Sequence, residues 1–450
     1  MNLEKIAQIL HCKPVSPLEI NGIEIDSRKV KKGCLFAALK GERFDGHDFI
    51  AEAIAQGAIA ILCERPLEQL SVPQLQVKDT LEALTVLATA HRMTMDCPVI
   101  ALTGSNGKTS VKEMIASILP QPSHATKGNL NNHIGAPLSV LQLRSQHRYA
   151  VFELGANHPG EIAHTVAIVQ PQVALINNIA PAHIEGFGSI EGVAKAKGEI
   201  YQGLAKQGTA IVNGDDDYAH FWDDILQDSK VLRFSLDKTC DIYAKNCEYD
   251  KNNCATFELV TPADAFTLHL QVPGVHNVRN ALAAAACCYA LGVSSADICR
   301  GLQAFKGVAG RMTFRAGKNH SLVIDDTYNA NLRSVLTAID VLAERPGKRI
   351  LVLGDLGELG VWTQKHHEDI GFAAQQQKID CLLTCGKHSL SSSRAFGQQG
   401  KHYASQEDLI FDLLPQLDEM TTVLVKGSRS AAMEKIVAQL IALSPAAVEC

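Results

Sequence analysis

The segment Thr103-Gly104-Ser105-Asn106-Gly107-Lys108-Thr109-Ser110 constrains this chain more than any other stretch. An apolar run at 99–102 precedes it and an amphipathic run at 109–119 follows, so it reads as a strand, a glycine-rich turn and a helix start. Glycines let the backbone amides curl around an anion, and the helix N-terminus adds a favourable dipole. Lys108 can reach the terminal phosphates of a nucleotide, and the Thr109 hydroxyl can hold magnesium. The loop is a shortened Gly-x-x-Gly-Lys-Thr, because Leu102 stands where the eight-residue pattern has its first glycine. The bland alternative is a tight strand–helix turn with an incidental lysine. The flanking elements favour phosphate binding, with Gly104, Ser105, Asn106, Gly107, Lys108, Thr109 and Ser110 as the contact set.

A βα rhythm runs outward from this loop. Strands are expected at 149–153, 173–177 and 209–212, then strands without helices between 240 and 272, and a strong helix at 277–291. Beyond Gly310 the rhythm restarts, with strands at 322–324, 350–353, 381–383 and 423–425. The first 80 or so residues form a mixed segment: a strand at 33–39, a helix at 49–56 and a strand at 58–62. A helical stretch at 79–92 leads to Cys97-Pro98, a candidate hinge. The expected fold is therefore α/β in three domains, since 450 residues exceed one ordinary core. Residues 1–80 form a small mixed N-terminal domain. Residues 81–310 form a central domain like a P-loop ATPase, with a mostly parallel sheet and an antiparallel edge. Residues 311–450 form a Rossmann-like C-terminal domain. Ligands of such sheets sit at the carboxyl ends of the strands.

Hydrophobic residues make up 46% of the chain and charged residues 20%, which excludes a disordered class. A formal net charge of -6 argues against a nucleic-acid partner. No apolar run has the length of a membrane span, so no membrane insertion is expected. Met1 to Leu10 carries Glu4 and Lys5 and lacks the apolar centre of a signal peptide. The 13 cysteines are scattered with no Cys-x-x-Cys pair, which fits reduced thiols in a cytoplasmic protein.

Two strand ends supply metal candidates. Glu153 closes the strand at 149–153, and His183 follows the strand ending near Asn178. A hard cation bridging phosphates needs oxygen ligands, which Thr109 and Glu153 offer. In the next helix Ile190, Val193, Ala194, Lys197, Tyr201 and Leu204 share one face, so Lys197 lies in an apolar stripe while Lys195 points away. Two readings of Lys197 stay open. It snorkels along the helix, or it reacts with carbon dioxide to become a carbamate able to ligate metal.

Several blocks in order resemble the Mur ligase family across nearly the whole chain. They are Asp26-Ser27-Arg28, Gly41-Glu42-Arg43-Phe44-Asp45-Gly46-His47, the loop from Gly104 to Ser110, and Glu153-Leu154-Gly155-Ala156-Asn157. His276-Asn277-Val278-Arg279-Asn280, Gly310-Arg311 and Asp325-Asp326-Thr327-Tyr328-Asn329-Ala330-Asn331 follow. The last two are Gly354-Asp355-Leu356-Gly357-Glu358-Leu359-Gly360 and Lys426-Gly427-Ser428-Arg429-Ser430. The resemblance implies an ATP- and Mg2+-dependent ligase of peptidoglycan synthesis. Its substrates would be a UDP-N-acetylmuramoyl-tripeptide and D-alanyl-D-alanine, with the protein expected to be a monomer.

The resemblance also implies roles. Lys108, His183, Lys197 and Arg311 would be catalytic, and Thr109, Glu153, His183 and a carbamylated Lys197 would hold metal. Asn277 and Asn280 would contact the adenine side of ATP, with Arg311 and Asp326 on its phosphates and ribose. Ser27 and Arg28 would bind the UDP-sugar, while Asn329, Asn331, Ser428 and Arg429 would face the dipeptide. One departure is Leu332, where the family usually has proline after Asn331. Relatives that add diaminopimelate or lysine usually carry Asp-Asn-Pro-Arg in the last domain, and this chain has none.

Direct amide formation from a carboxylate is slow, so the implied chemistry is phosphoryl transfer to the tripeptide's carboxylate, then attack by the dipeptide amine. A small-molecule kinase, a folate polyglutamate synthetase and a nucleotide-gated binding protein are the rival readings. They predict, respectively, a hydroxyl acceptor, glutamate dependence, and hydrolysis indifferent to any amine.

Overall fold

The computed structural model describes residues 1–41, 44–181 and 184–442. Three sheets organise three α/β domains. The first sheet is parallel and ordered β1 (Gly22–Glu24), β2 (Cys34–Ala37), β3 (Ala60–Cys63), β4 (Gln74–Gln76). The runs Cys34–Ala37 and Ala60–Cys63 are buried throughout, as strands covered on both faces should be.

The second sheet has nine strands: β5 (Val99–Thr103), β6 (Ser123–Ala125), β7 (Tyr149–Glu153), β8 (Val173–Ile176), β9 (Thr209–Asn213), β10 (Lys230–Ser235), β11 (Ile242–Tyr249), β12 (Cys254–Val260) and β13 (Ala265–Pro273). Their order is β13-β12-β11-β10-β9-β8-β5-β7-β6. Pairing is parallel from β6 to β11, and β11, β12 and β13 form the expected antiparallel edge. The polar strand Ser123–Ala125 carries no apolar run and was not anticipated. Because β5 lies between β7 and β8, the chain leaves it in both directions along the sheet. The loops after Thr103, Glu153 and Ile176 therefore open onto one crevice, the topological switch point.

The third sheet runs β14 (Thr313–Ala316), β15 (Leu322–Asp326), β19 (Thr421–Lys426), β16 (Lys348–Gly354), β17 (Cys381–Cys385), β18 (Gly400–Tyr403). Only the β14–β15 pair in it is antiparallel, and β14 was not foreseen either. Insertion of β19 between β15 and β16 brings Asp326, Lys426 and Gly354 to neighbouring strand ends.

The helix Val275–Ala290 begins two residues earlier than expected and lies against Lys108–Ile118, the helix of the phosphate loop. Its buried alanines at 281 and 283–286 allow that close approach. One apolar cluster joins Leu3, Leu35 and Leu62 of the first domain, Leu84 and Leu87 of the helix Thr80–Arg92, and Phe152, Ile162 and Val166 of the second. Buried Arg92 donates to the carbonyls of Val169 (2.8 Å) and Met95 (2.7 Å) beside this cluster. The hinge anticipated at Cys97-Pro98 thus sits within a continuous core, Cys97 itself being buried. Gly310, by contrast, has φ of +72° and lies outside any strand or helix.

Candidate nucleotide and acceptor cleft

A cleft of about 1590 Å³ separates the second and third domains. Its floor is the phosphate loop. Gly107 caps the helix Lys108–Ile118 with φ of +78°, a conformation that costs a side-chain-bearing residue about 1–2 kcal/mol. A Cβ there would also fall 2.6 Å from Asn280 Oδ1 and 2.7 Å from Asn177 Nδ2. The residues after β8 hold the loop from below. Asn178 Oδ1 accepts from the Asn106 amide (2.9 Å), and Asn177 and Asn178 both donate to the Asn106 carbonyl (3.0 Å each). Ser105 Oγ donates to the Ala180 carbonyl at 3.0 Å and accepts from the Ala180 amide at 2.9 Å. Lys108 Nζ bends back to the Gly104 carbonyl at 2.7 Å. Burial depresses its pKa, Arg311 adds to the effect, and Glu153 opposes it.

Thr109 Oγ1 donates to Glu153 Oε2 at 2.9 Å, and Asn131 Nδ2 donates to Glu153 Oε1 at 2.8 Å. Glu153 is buried at the end of β7, so two oxygen ligand types stand side by side next to the loop. Arg311, from the start of the third domain, donates to the same Thr109 Oγ1 at 2.9 Å. Thr109, Glu153, Lys108 and Arg311 are thereby gathered in one place.

Lys197 lies on the helix Ile190–Gln202 with 1% of its surface exposed. Among the described residues no hydrogen bond or ion pair meets its amine, and the Phe187 ring centroid is 6.0 Å away. Burial, then the nearby Lys108, holds its pKa well below the ordinary lysine value. A snorkelling lysine would reach water, and this one does not. Lys195 is exposed and pairs with Glu191 at 2.8 Å, on the opposite face as the spacing required. Ile190, placed in the buried stripe by spacing, is instead 36% exposed, being the first residue of the helix. His183 lies outside the described residues.

Asn277 and Asn280 are buried on the cleft wall and bonded to one another. Asn277 also donates to the Pro273 carbonyl (2.8 Å), and Asn280 accepts from Asn177 (3.2 Å). In the third domain Asp326 is ion-paired with buried Lys426 at 2.5 Å and accepts from the Met312 amide at 3.1 Å. Asn329 is exposed, and its carbonyl accepts from Lys426 at 3.1 Å. Asn331 donates to Asn106 Oδ1 of the phosphate loop at 2.8 Å. Its side chain also caps the helix Leu332–Ala343 in a reciprocal capping box with Ser334. That box anchors the turn where the family's proline is missing.

Ser428 donates twice to the Asp355 carbonyl, from N (2.9 Å) and Oγ (2.6 Å). The Asp355 carboxylate in turn accepts from the amides of Lys387, His388 and Ser389, at 2.8–2.9 Å. One residue thus ties together the loops after β16, β17 and β19, through its carboxylate and its backbone carbonyl. Arg429 pairs with Glu434 at 3.1 Å. Ser27 and Arg28 stand apart from the cleft in the first domain. Ser27 donates to Glu52 at 2.9 Å, and Arg28 grips Asp26 through two bonds of 2.9 Å. His47 is an internal brace there, bonded to Asp45 at 2.6 Å and accepting from the Glu64 and Arg65 amides. Asn131, Lys426 and Asp355 carry no role legible from the sequence alone, save that the last two lie in segments that resemble the Mur ligases.

Three family descriptions match the chain: "Mur ligase family, catalytic domain" over residues 19–92, "Mur ligase middle domain" over 102–288, and "Mur ligase, glutamate ligase domain" over 310–429. The chain is 46% identical over 427 residues to the UDP-N-acetylmuramoyl-tripeptide--D-alanyl-D-alanine ligase of Escherichia coli, covering 94% of each. Among solved structures it superimposes on MurF from Acinetobacter baumannii with a TM-score of 0.89 at 38% identity, covering 96% of this chain and 97% of that one. It superimposes on the MurF ligase of Thermotoga maritima in complex with ADP with a TM-score of 0.80 at 29% identity, covering 94% and 98%. With three sheets in this order, a phosphate loop at the switch point of the second and the third domain pressed against it, the chain belongs to the Mur ligase family.

Proposed function

We propose that the chain is the ATP-dependent ligase that joins D-alanyl-D-alanine to a UDP-N-acetylmuramoyl-tripeptide in the cytoplasm, giving the pentapeptide precursor of peptidoglycan. The observation that carries this reading is the contact of Arg311 with Thr109, which puts a group of the acceptor domain on the phosphate loop. An identity of 46% over 94% of the chain to an enzyme named for that reaction supports the choice of substrates. Among the described residues no helix is long and apolar enough to cross a membrane, in keeping with nucleotide-linked substrates free in water.

In this mechanism a carboxylate oxygen of the tripeptide attacks the γ-phosphorus of ATP, and ADP leaves with the bridging oxygen. The dipeptide amine then attacks the acyl carbon, phosphate departs with the electrons of the broken C–O bond, and the proton shed by the amine passes to that phosphate or to solvent. The protein positions these groups and offsets charge as it develops. The amides of residues 104–110 cradle the phosphates. Lys108 swings from the Gly104 carbonyl to the transferring phosphate, and Arg311 approaches from the other side. Asn277 and Asn280 form the adenine wall, and Asp326 is held for the ribose by Lys426 and the Met312 amide. Asn329, Asn331, Ser428 and Arg429 border the dipeptide end, and Ser27 and Arg28 receive the UDP-sugar.

Thr109 and Glu153 suit Mg2+, which favours a few protein oxygens plus water and phosphate oxygens. Magnesium there would neutralise phosphate charge and fix the γ-phosphoryl group in line. The amine of Lys197, buried and held below its ordinary pKa, is suited to add carbon dioxide through its neutral form. The resulting carbamate would supply a further oxygen ligand, at a buried amine that meets no hydrogen-bond or ion-pair partner among the described residues.

The test is phosphate release from ATP by purified protein, with the tripeptide substrate and D-alanyl-D-alanine varied separately and together. Release that needs both, with the pentapeptide found by mass, is the expected result. Release indifferent to the dipeptide would sink the acceptor assignment.

A further inference from the structure

Tyr328 lines the cleft, half-buried, between the buried Thr327 and the exposed Asn329. The Arg311 guanidinium carbon lies 4.2 Å from its ring centroid, and that of Arg429 lies 6.0 Å away. The backbone fixes this seat, since the Tyr328 amide donates to the Gly310 carbonyl at 3.0 Å. A Cβ on Gly310 would stand only 3.4 Å from the Tyr328 Cβ and N. Arg311 has little else to orient it. Its Nε is shielded and without a hydrogen-bond partner among the described residues, and no carboxylate there pairs with it. A planar guanidinium with so few partners is oriented strongly by an aromatic face.

We propose that Tyr328 is a positioning residue whose ring holds Arg311 over the phosphate loop. Through Arg429, at the outer edge of cation–π range, the same ring links the nucleotide end of the cleft to the acceptor end. The inference rests on the reading of Arg311 as a phosphate-side group. A cation–π contact of this kind corresponds to roughly a two- to thirtyfold effect on binding, depending on desolvation.

The experiment compares Y328F, Y328L, R311A and the double variant Y328L/R311A by steady-state kinetics in ATP and in D-alanyl-D-alanine, alongside Tm. Y328L should raise the ATP KM and lower kcat/KM for ATP within that range, with a smaller rise in the dipeptide KM. Y328F, which keeps the ring, should keep the ATP KM within about twofold of the parent. In the R311A background Y328L should add less than about twofold, because the partner is already gone. Full additivity with R311A would overturn the proposal, and so would a Y328F as impaired as Y328L. A change confined to Tm and the folded fraction would overturn it too, because it would mean a merely structural ring. If Y328L does not fold, Y328M takes its place. Failure of both while Y328F folds also makes the ring structural and overturns the proposal. An unimpaired R311A would sink the phosphate-side reading of Arg311, whereas an impaired R311A beside an unimpaired Y328L sinks only the role given to Tyr328.

Discussion

Lys197, buried near Lys108 of the phosphate loop, concentrates the chemistry of single residues. Its amine is depressed by burial and by Lys108, so a larger neutral fraction is present near neutrality than for a free lysine. Only the neutral amine adds carbon dioxide, and acid restores the cation, so activity should fall on the acid side and recover with added bicarbonate. Protein kept free of carbon dioxide should lose activity, and 13C-labelled bicarbonate should give a carbamate resonance absent from K197A. A labelled resonance that survives K197A would place the modification elsewhere. Residues of this kind were legible when their own neighbours in sequence announced them, as for Lys108 and Thr109. Lys426 and Asn131 were not, because their partners Asp326 and Glu153 are 100 and 22 residues away and only the fold unites them. The isolation of Lys197 was half legible: helical spacing turned it inward, but only packing shows that no hydrogen bond or ion pair among the described residues meets its amine.

Most strands with apolar runs announced themselves, and Tyr149–Glu153 matches its expected bounds, but Lys230–Ser235 lies between the expected strands despite Val231, Leu232 and Phe234. The short strands Ser123–Ala125 and Thr313–Ala316 did not, being polar or partly exposed and held by their neighbours' ladders rather than by their own pattern. Two predictions belong to this scale. G107A should raise the ATP KM at least about tenfold and lower stability by about 1–2 kcal/mol, as measured by kinetics and denaturant melts, through its left-handed φ. The contacts of its Cβ with Asn280 and Asn177 add to both effects. L332P should instead stabilise the protein by about 0.4–1 kcal/mol with activity retained. Position 332 is the first helical residue, where proline is favoured, and Asn331 already has the extended backbone that proline requires before it. A loss of stability in L332P would mean that the Leu332 side chain matters more than its backbone.

At the scale of the whole molecule, hydrogen bonds among the described residues that join the central and C-terminal domains include Arg311 with Thr109, Asn331 with Asn106, Arg333 with the Ile179 carbonyl at 3.0 Å, and Asn253 with Glu344. Several of these groups are the same ones proposed to meet nucleotide, so the domains should part to admit it and close around it. Solution scattering should show a larger radius of gyration without ligands than with ATP analogue and tripeptide together. E344A, outside the phosphate contacts, should shift the free protein further open and raise the ATP KM a few-fold. Identical profiles in all states would count against closure. The restarted βα rhythm points to a boundary near Gly310. It could not show that the first two domains share one core, since a cluster spanning Leu3 to Leu226 has no local signature.

Asp355 has a consequence for inhibitors. Because one carboxylate and the carbonyl of the same residue fasten the loops after β16, β17 and β19 together, the part of the cleft proposed to face the dipeptide is tied together by the chain's own hydrogen bonds. A dipeptide mimic would then lose little affinity to the ordering of loops, a cost of about 0.5–1.5 kcal/mol for each long side chain immobilised elsewhere. Compounds built to that fixed shape should gain affinity from rigidity of their own. They should also lose it with each atom that does not fit, because loops fastened to one another have little room to adapt.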